Sequence, residues 1–300
     1  MLNWQFASPR YWLAWIGFGI LWSITRLPER LQFNIGKSIG HLLYLFPTKL
    51  KNITQINIKI CFPELSQQQQ NDLVKKNFRS LGLGLIETAR AWWLSDKKLQ
   101  DSFQFNGREH LENAFSKGKG AIIVSPHFTS LEMIGRLMGI HYPIAAMYRT
   151  HKKSLIAYIQ KRFRKNYRIQ LIPRQNMREL LRVLNQNMAV WFAYDIDAGE
   201  KHSVFAPFFN IPTASLTTAS RIAELTGADI ITISFYRDEN SFRYEINLSP
   251  RFENFPGKDL LEDATRLNAS LEKSIRSKPE QYVWQYKRFK TRPAGEKRFY

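Results

Sequence analysis

The sequence predicts an α/β fold: a single domain with a mostly parallel central sheet flanked by helices, preceded by a helical amino-terminal extension. From residue 103 onward, short β-branched runs alternate with amphipathic segments, which is the pattern of a largely parallel sheet. Residues 29–100 have helical periodicity, and residues 1–28 contain a strongly apolar segment. We therefore divide the chain into a hydrophobic helix (1–28) and one domain (29–300), whose helical part (29–100) precedes its α/β part (101–300).

The apolar segment of the extension runs from Tyr11 to Ile24 and carries tryptophan near both ends. It is shorter than the ~20 residues that span a bilayer, and no secretory cleavage site follows it. Tryptophan favours the membrane interface, and Arg26 and Arg30 follow the segment, whereas only Arg10 precedes it. We expect a membrane anchor, either a short tilted span or a helix in the surface, with the downstream side cytosolic. The alternative is a buried core helix.

Helices and strands follow in order along the domain. Two helices are expected between residues 29 and 60, separated at Pro47 and Thr48, and a third from Ser66 to Leu94. The predicted strands are Ala121–Ser125, Ile144–Met147, Ile169–Ile172, Ala189–Ala193, Ile230–Tyr236 and Phe242–Leu248. The predicted helices between and after them are Glu109–Lys117, Ser130–Gly139, Ser154–Lys165, Met177–Asn187, Ser215–Gly227 and Leu260–Ser277. Open α/β sheets bind ligands at the carboxyl ends of their strands, so residues that follow strands are the site candidates.

The most informative stretch is residues 120–136, GAIIVSPHFTSLEMIGR. His127 follows the first buried strand, and Glu132 lies in the first turn of the next helix. On one continuous helix, residues five apart lie about 140° apart, so this pair is not a one-face metal site. With the histidine on the loop, the glutamate can hold one ring nitrogen while the other takes a proton from a hydroxyl. The alternative is a surface histidine and a glutamate that only favours the helix dipole.

Basic residues are concentrated just beyond the next strands. Residues 149–182 contain eleven Lys or Arg and one acidic residue. Arg149 and Arg174 each follow a strand, so both are expected on the same edge of the sheet as His127, with Arg178 nearby. Guanidinium groups bind phosphate bidentately, and we expect these three to contact substrate. The alternative is a solvated basic face.

Two acidic residues, Asp195 and Asp197, follow the strand at 189–193. We expect them to organise the arginines or to bind a sugar hydroxyl. Further ligands for a divalent metal are missing, so we predict neither a metal site nor a cofactor. The sequence contains no Gly-x-Ser-x-Gly elbow, no phosphate-cradling Gly-rich loop and no zinc spacing. Direct attack by an activated hydroxyl is therefore favoured over an acyl-enzyme.

The composition limits the class of partner. The net charge is +19 and the pI is near 10.0, which favours an acidic partner: nucleic acid, anionic lipid, a phosphate-bearing substrate or an acidic protein. Cys61 is the one cysteine in the sequence, so an intrachain disulfide and a cysteine-rich metal site are excluded.

Over nearly its whole length, the sequence resembles the late acyltransferases of lipid A biosynthesis, of the lauroyl and myristoyl type. The resemblance rests on the hydrophobic amino-terminal helix and on the segments NIKICFPELS, SPHFTSLE, MYR, YDIDAGEKHSVFAPFFNIP and PEQYVWQYKRFKTRP. It implies that His127 and Glu132 are the catalytic dyad and that Arg149 belongs to a substrate-site motif. After that arginine the chain reads RTHKKSL, where the family is expected to have proline and asparagines.

The resemblance also implies a reaction, partners and a location. An enzyme of the bacterial inner membrane, with its active site on the cytoplasmic side, would move a fatty acyl chain from acyl carrier protein to a hydroxyl of an acyl chain on a lipid A precursor of the Kdo-lipid IVA type. An anionic membrane surface is a further expected partner, and nucleic acid is not. Two alternatives remain: an acyltransferase acting on a lysophospholipid or glycolipid, and a non-enzymatic basic protein that binds membrane or nucleic acid.

Overall fold

The computed structural model describes residues 6–148, 155–197 and 199–300. Seven strands within these residues form one sheet, and two others form a separate hairpin. The strands of the sheet are β1 (Phe103–Asn106), β2 (Ala121–Ser125), β3 (Ile144–Tyr148), β4 (Ile169–Pro173), β5 (Ala189–Ala193), β8 (Asp229–Arg237) and β9 (Tyr244–Leu248); those of the hairpin are β6 (Ser203–Phe208) and β7 (Ile211–Leu216). The sheet has the order β1-β9-β8-β2-β5-β3-β4. The five strands from β8 to β4 are parallel, and β9 runs antiparallel to β8.

Helices cover the sheet and build the amino-terminal third of the chain. They are α1 (Trp12–Ile24), α2 (Glu29–Leu45), α3 (Lys49–Cys61), α4 (Gln67–Trp93), α5 (Asp96–Leu99), α6 (Arg108–Ser116), α7 (Leu131–His141), α8 (Leu155–Asn166), α9 (Met177–Asn185), α10 (Thr218–Thr226) and α11 (Leu260–Ser277). Ser66 and Gln69 form a capping box at the start of α4, which fixes where this long helix begins.

Helix α4 connects the helical part to the α/β part. Gly36 and Gly40 on α2 face Gly82 on α4 so closely that a Cβ on Gly82 would lie 2.3 Å from the carbonyl oxygen of Gly36. Two residues before Gly82 in α4, the side chain of Ser80 lies 2.9 Å from that of Thr129, on the loop after β2. The buried hydrophobic core is continuous from α4 into the sheet.

The register of the sheet places two of the predicted residues together. Ser125, the last residue of β2, lies opposite Ala193, the last residue of its parallel neighbour β5. His127 and Asp195 each come two residues after these strand ends and therefore lie side by side at the carboxyl edge. Adjacent strands are separated by about 4.8 Å, which is within reach of a direct side-chain contact.

The amino-terminal helix α1 is only half packed. Phe18 contacts Trp92 of α4 with ring centroids 6.0 Å apart, while Trp12, Leu13, Ile16 and Ile20 are exposed. No residue of α1 is fully buried, so the alternative of a buried core helix is wrong. Within the described residues, no helix has the length and apolar character needed to cross a membrane. Anchoring by this extension stays a prediction.

The mostly parallel sheet and most of the predicted elements are confirmed, with boundary shifts of a few residues. The helix predicted at Ser215–Gly227 is wrong at its start, because residues up to Leu216 belong to β7 and the helix begins at Thr218. The hairpin of β6 and β7 and the short edge strand β1 were not predicted. In each case an aromatic or proline-containing run hides the alternation that marks a strand.

Candidate active site

His127 and Asp195 form the central pair of the candidate site. His127 Nδ1 lies 2.6 Å from Asp195 Oδ1, and the His127 backbone N–H donates to Asp195 Oδ2 at 2.9 Å. One carboxylate therefore fixes both the ring and the backbone of the histidine. The Asp195 side chain is 2% exposed, whereas that of His127 is 36% exposed, so the ring is open to solvent on one side of a buried carboxylate.

The two partners shift each other's pKa. Desolvation alone lowers the pKa of His127, but the charge of Asp195 and the hydrogen bond to it raise the pKa above its ordinary value. The Arg164 guanidinium acts in the opposite direction on His127. Burial raises the pKa of Asp195, yet the charge and hydrogen bonds of His127, and hydrogen bonding from Tyr282, bring the net pKa below its ordinary value. The carboxylate is thus ionised at neutral pH and favours a proton on Nδ1.

Glu132 has a different set of partners from the one expected. Its carboxylate accepts from Arg164 Nη2 at 2.6 Å and Arg164 Nε at 3.1 Å, and Trp92 Nε1 donates to its other oxygen at 3.2 Å. No hydrogen bond joins Glu132 to His127 in the described part of the chain, and Asp195 lies at Nδ1 instead, so a catalytic dyad of His127 and Glu132 stays a prediction. Glu132 instead fixes Arg164 close enough to His127 for its charge to lower the histidine pKa.

The carboxyl-terminal segment of the chain closes the site from the opposite side. Val283 N–H donates to the carbonyl oxygen of His127 at 2.8 Å, and Thr129 N–H donates to that of Gln281 at 2.8 Å. Burial, and next the charge of Asp195, raise the pKa of Tyr282, whose hydroxyl stays protonated. The loop that carries His127 therefore pairs with the carboxyl-terminal segment through an antiparallel bridge between Phe128 and Tyr282. The two segments lie more than 150 positions apart in the sequence.

A buried ion pair between Arg237 and Glu87 is connected to the same loop through Ser80. Arg237, the last residue of β8, donates to Glu87 of α4 at 2.7 Å and to Ser80 at 2.9 Å. The side chain of Gln281 accepts from Arg237 N–H at 2.8 Å and donates to Arg237 O at 2.8 Å. Because Ser80 also contacts Thr129, the network joins β8, α4 and the closing segment to the His127 loop.

The other predicted site residues lie in different surroundings. Asp197 accepts from Thr291 N–H at 2.7 Å and Thr291 Oγ1 at 2.9 Å, so its carboxylate ties down the chain terminus. Arg174 and Arg178 are exposed and, within the described residues, form no ion pair. Arg174 follows β4, three strands from β2, which corresponds to about 14 Å from the His127 strand. Arg149 lies outside the described residues.

Ligands for a metal are not gathered in the described part of the chain: no group of three or more His, Cys, Asp and Glu residues there is arranged to hold an ion. The groups around His127 are the Asp195 carboxylate, which accepts hydrogen bonds, and the Arg164 guanidinium and the Tyr282 hydroxyl, which can donate them. This set suits recognition and stabilisation of negative charge, next to an imidazole that can exchange protons.

Sequence reasoning missed the partners of the histidine and glutamate. Arg164 belongs to the basic cluster of residues 149–182, but no motif distinguishes its position in the last turn of α8 from the other basic residues. The pairing of Asp195 with His127 depends on β5 lying beside β2, which chain order does not give. The segment PEQYVW forms backbone hydrogen bonds with the segment SPHFT. Two motifs that are distant in the sequence therefore belong to one site.

Comparisons with known proteins identify the family of the chain. Residues 2–291 match the family model described as bacterial lipid A biosynthesis acyltransferase. The chain is 37% identical over 297 residues to the lipid A biosynthesis palmitoleoyltransferase of Escherichia coli (strain K12), covering 99% of this chain and 97% of that protein. It is 33% identical over 288 residues to the lauroyltransferase of the same strain (96% and 94% covered), and 25% identical over 294 residues to its myristoyltransferase (97% and 91% covered).

Proposed function

The chain belongs to the bacterial lipid A biosynthesis acyltransferase family and is an acyltransferase, and we propose that it moves a fatty acyl chain from acyl carrier protein to a hydroxyl of an acyl chain on a Kdo-lipid IVA type precursor. The observation that carries the chemistry is the 2.6 Å contact between His127 Nδ1 and the buried Asp195. This contact leaves Nε2 as the basic nitrogen of a half-exposed ring.

In the proposed reaction the acyl group passes directly from the sulfur of the donor thioester to the oxygen of the acceptor hydroxyl. His127 Nε2 takes the proton of the acceptor hydroxyl, and the oxygen attacks the thioester carbonyl. The new C–O bond forms as the C–S bond breaks, and the leaving thiolate takes the proton back from the imidazolium. Asp195 stabilises the imidazolium between these steps and keeps the ring in the required tautomer.

Arg164 is the group we assign to the developing negative charge. Its side chain is 25% exposed, and Glu132 fixes its orientation through two nitrogens. A guanidinium held beside the imidazole by a buried carboxylate does not need to reorganise when the oxyanion forms. Glu132 thereby acts on the reaction through Arg164, and amide groups at the start of α7 or Arg149 are additional candidates for oxyanion stabilisation.

The acceptor and donor both carry negative charge, and the exposed arginines that follow β4 suit both. Arg174 and Arg178 would contact the phosphates of the acceptor or the acidic surface of the carrier protein, and Asp195 and Asp197 shape the loop between these arginines and the carboxyl-terminal segment. The apolar outer side of α1 supports a location at the inner membrane, with the site on the cytoplasmic side. A lipid acceptor requires such a location.

The test is the mass of the product. Purified protein is incubated with an acyl carrier protein thioester and a tetraacylated lipid A precursor, and the lipid is weighed by mass spectrometry. Addition of one acyl chain by wild type, and a loss of about 10²- to 10⁴-fold in rate for His127→Ala, is the expected result. Wild-type rates in His127→Ala, or acyl transfer to lysophospholipid but not to the precursor, would contradict the proposal.

A further inference from the structure

Helix α2 exposes large apolar side chains to solvent although it also packs on the protein with a buried face. Its buried face contains Gln32, Phe33, Gly36 and Gly40 and lies against α4. The opposite face would be polar on an ordinary surface helix. The exposed residues of α2 instead include four leucines, at positions 31, 42, 43 and 45, beside the polar Asn34 and Ser38.

The apolar character is strongest where α2 ends and turns into α3. Leu42 is 56% exposed, Leu45 57% and Phe46 63%, and the neighbouring Leu43 and Leu50 are also exposed. We name these five residues the α2–α3 tip. Such a group of large exposed side chains at one corner is unusual on a soluble surface and marks an interaction site.

The charges around the tip indicate what it contacts. Between Glu29 and Glu64 the sequence has no acidic residue, while it has five basic residues: Arg30, Lys37, Lys49, Lys51 and Lys59. Lys49, at the start of α3, is exposed beside the tip. Apolar residues inserted among cations match the boundary between acyl chains and anionic headgroups. A second copy of the chain is disfavoured, because its own tip would bring positive charges against positive charges.

The tip lies far from the amino-terminal extension. Helix α2 runs antiparallel to α4, since Glu29 pairs with Arg90, whereas Gly40 faces Phe78. Helix α1 packs at the carboxyl end of α4, on Trp92, whereas the tip lies toward the amino-terminal half of α4. The 17 residues of α2 separate the two apolar regions by about 25 Å.

We propose that the α2–α3 tip, together with the outer face of α2, is a second membrane-contacting surface that binds a bilayer containing anionic lipid. The proposal deepens the proposed function and rests on it for its purpose. Two contacts set apart along α4 fix how the molecule sits on the bilayer, and therefore how the His127 edge meets an acceptor held in it. A single anchor at α1 would leave the domain free to rotate about that helix.

The experiment places a reporter at the tip of the full-length chain. Phe46→Cys is labelled with an environment-sensitive fluorophore, since the native Cys61 is buried. Leu225→Cys, on α10 and 74% exposed in the wild type, is the matched control. On vesicles of phosphatidylcholine with phosphatidylglycerol, the emission of the label at 46 is expected to shift to the blue and that at 225 to stay unchanged. An unshifted label at 46 on vesicle-bound protein would overturn the proposal.

Charge substitutions test the affinity. Phe46→Asp and Leu42→Asp are each expected to weaken binding to these vesicles roughly tenfold, whereas Leu225→Asp leaves it unchanged. Equal binding by all three variants contradicts the proposal. So does a wild-type dimer that Phe46→Asp converts to monomer, because the tip would then be an interface between copies.

Acyl transfer in detergent separates this proposal from the function. Without a bilayer, Phe46→Asp is expected to transfer acyl chains as fast as wild type, and on vesicles more slowly. If neither protein transfers acyl chains in detergent, the proposed function has failed, and the label at position 46 still decides whether the tip meets lipid.

Discussion

The orientation of His127 comes from Asp195, a residue 68 positions further along the chain, and not from the glutamate in its own motif. The carboxylate binds the ring and the backbone of the histidine together, so a movement of the loop would break two hydrogen bonds at once. Glu132, five positions away, is directed to Arg164 and Trp92. In the proposed reaction the two carboxylates therefore have separate roles: Asp195 orients the base, and Glu132 orients the Arg164 cation.

A double-mutant cycle tests the duty of Glu132. Glu132→Gln and Arg164→Met are each expected to lower kcat substantially, because either change removes the fixed guanidinium. If Glu132 acts through Arg164, the double variant is no slower than the slower single variant, so the two losses do not add. The measurement is kcat under saturating donor and acceptor, with chemical denaturation of each variant to establish that it is folded.

Full additivity in this cycle would contradict the assignment. It would mean that Glu132 contributes to catalysis independently of Arg164, as it would if it contacted His127 directly. Gln160→Ala is a suitable control, because Gln160 reaches the same carboxylate only at 3.5 Å and its loss is expected to change the rate little.

Among the elements, α4 has the most extensive structural role. It packs on α2 through glycines, pairs Glu87 with Arg237 at the end of β8, and contacts the His127 loop through Ser80. Its last turn supplies Trp92 to Glu132. The helix thus links the amino-terminal part of the chain to the catalytic edge, and its close packing determines where that edge lies.

The glycine contact between α2 and α4 predicts a stability change. In Gly82→Ala the added Cβ would lie 2.3 Å from Gly36 O and 2.3 Å from Gly40 N, and backbone atoms cannot move aside as a side chain can. We expect the free energy of unfolding to fall by at least about 1–3 kcal/mol, the usual cost of overpacking. Chemical denaturation monitored by tryptophan fluorescence measures it.

Gly135→Ala is the matched control, since it is also a helical glycine but its Cβ would meet only Ile169 Cδ1, at 3.7 Å. Its stability should be unchanged or rise by up to ~1 kcal/mol from helix propensity. Equal effects of the two substitutions would show that the close approach of α2 and α4 is not a feature of the folded protein.

At the scale of the molecule, positive charge dominates. The net charge is +19, and its basic residues differ in their exposure to solvent. Arg237 and Arg288 are buried, whereas Arg174 and Arg178 are exposed near the carboxyl edge of the sheet. Exposed cations beside a site raise the encounter rate with an acidic partner, and salt screens the attraction.

Salt dependence tests this use of charge. The value of kcat/KM for an acyl carrier protein thioester is expected to fall as ionic strength rises, while that for an uncharged acyl pantetheine donor stays nearly constant. Arg178→Glu should lower kcat/KM for the carrier-bound donor roughly tenfold at low salt. Lys258→Glu, at an exposed position just before α11, should not. Similar losses in both variants would assign the effect to net charge alone.

The sequence allowed the parallel sheet, most helices and the place of His127 to be predicted, because strands and amphipathic helices leave local periodic patterns. It did not allow the partner of His127 to be predicted. That pairing depends on β5 lying beside β2, with Ser125 opposite Ala193, which is a property of strand order. The hydrogen bond from Thr291 to Asp197 and that from Arg164 to Glu132 likewise join distant segments of the chain. No local sequence pattern predicts such contacts.

The central claim is that Asp195 prepares His127 as the base, and the pH dependence of kcat/KM in Asp195→Asn tests it most directly. In wild type the carboxylate raises the pKa of His127, so activity should rise with pH through a value above the ordinary ~6.5 as the imidazole loses its proton. Asp195→Asn removes the charge, which should move this acidic limb to lower pH and lower the maximal rate. Asp197→Asn, the control on the same loop, should leave the limb in place. An acidic limb that is unmoved in Asp195→Asn, or that moves equally in both variants, would contradict the account.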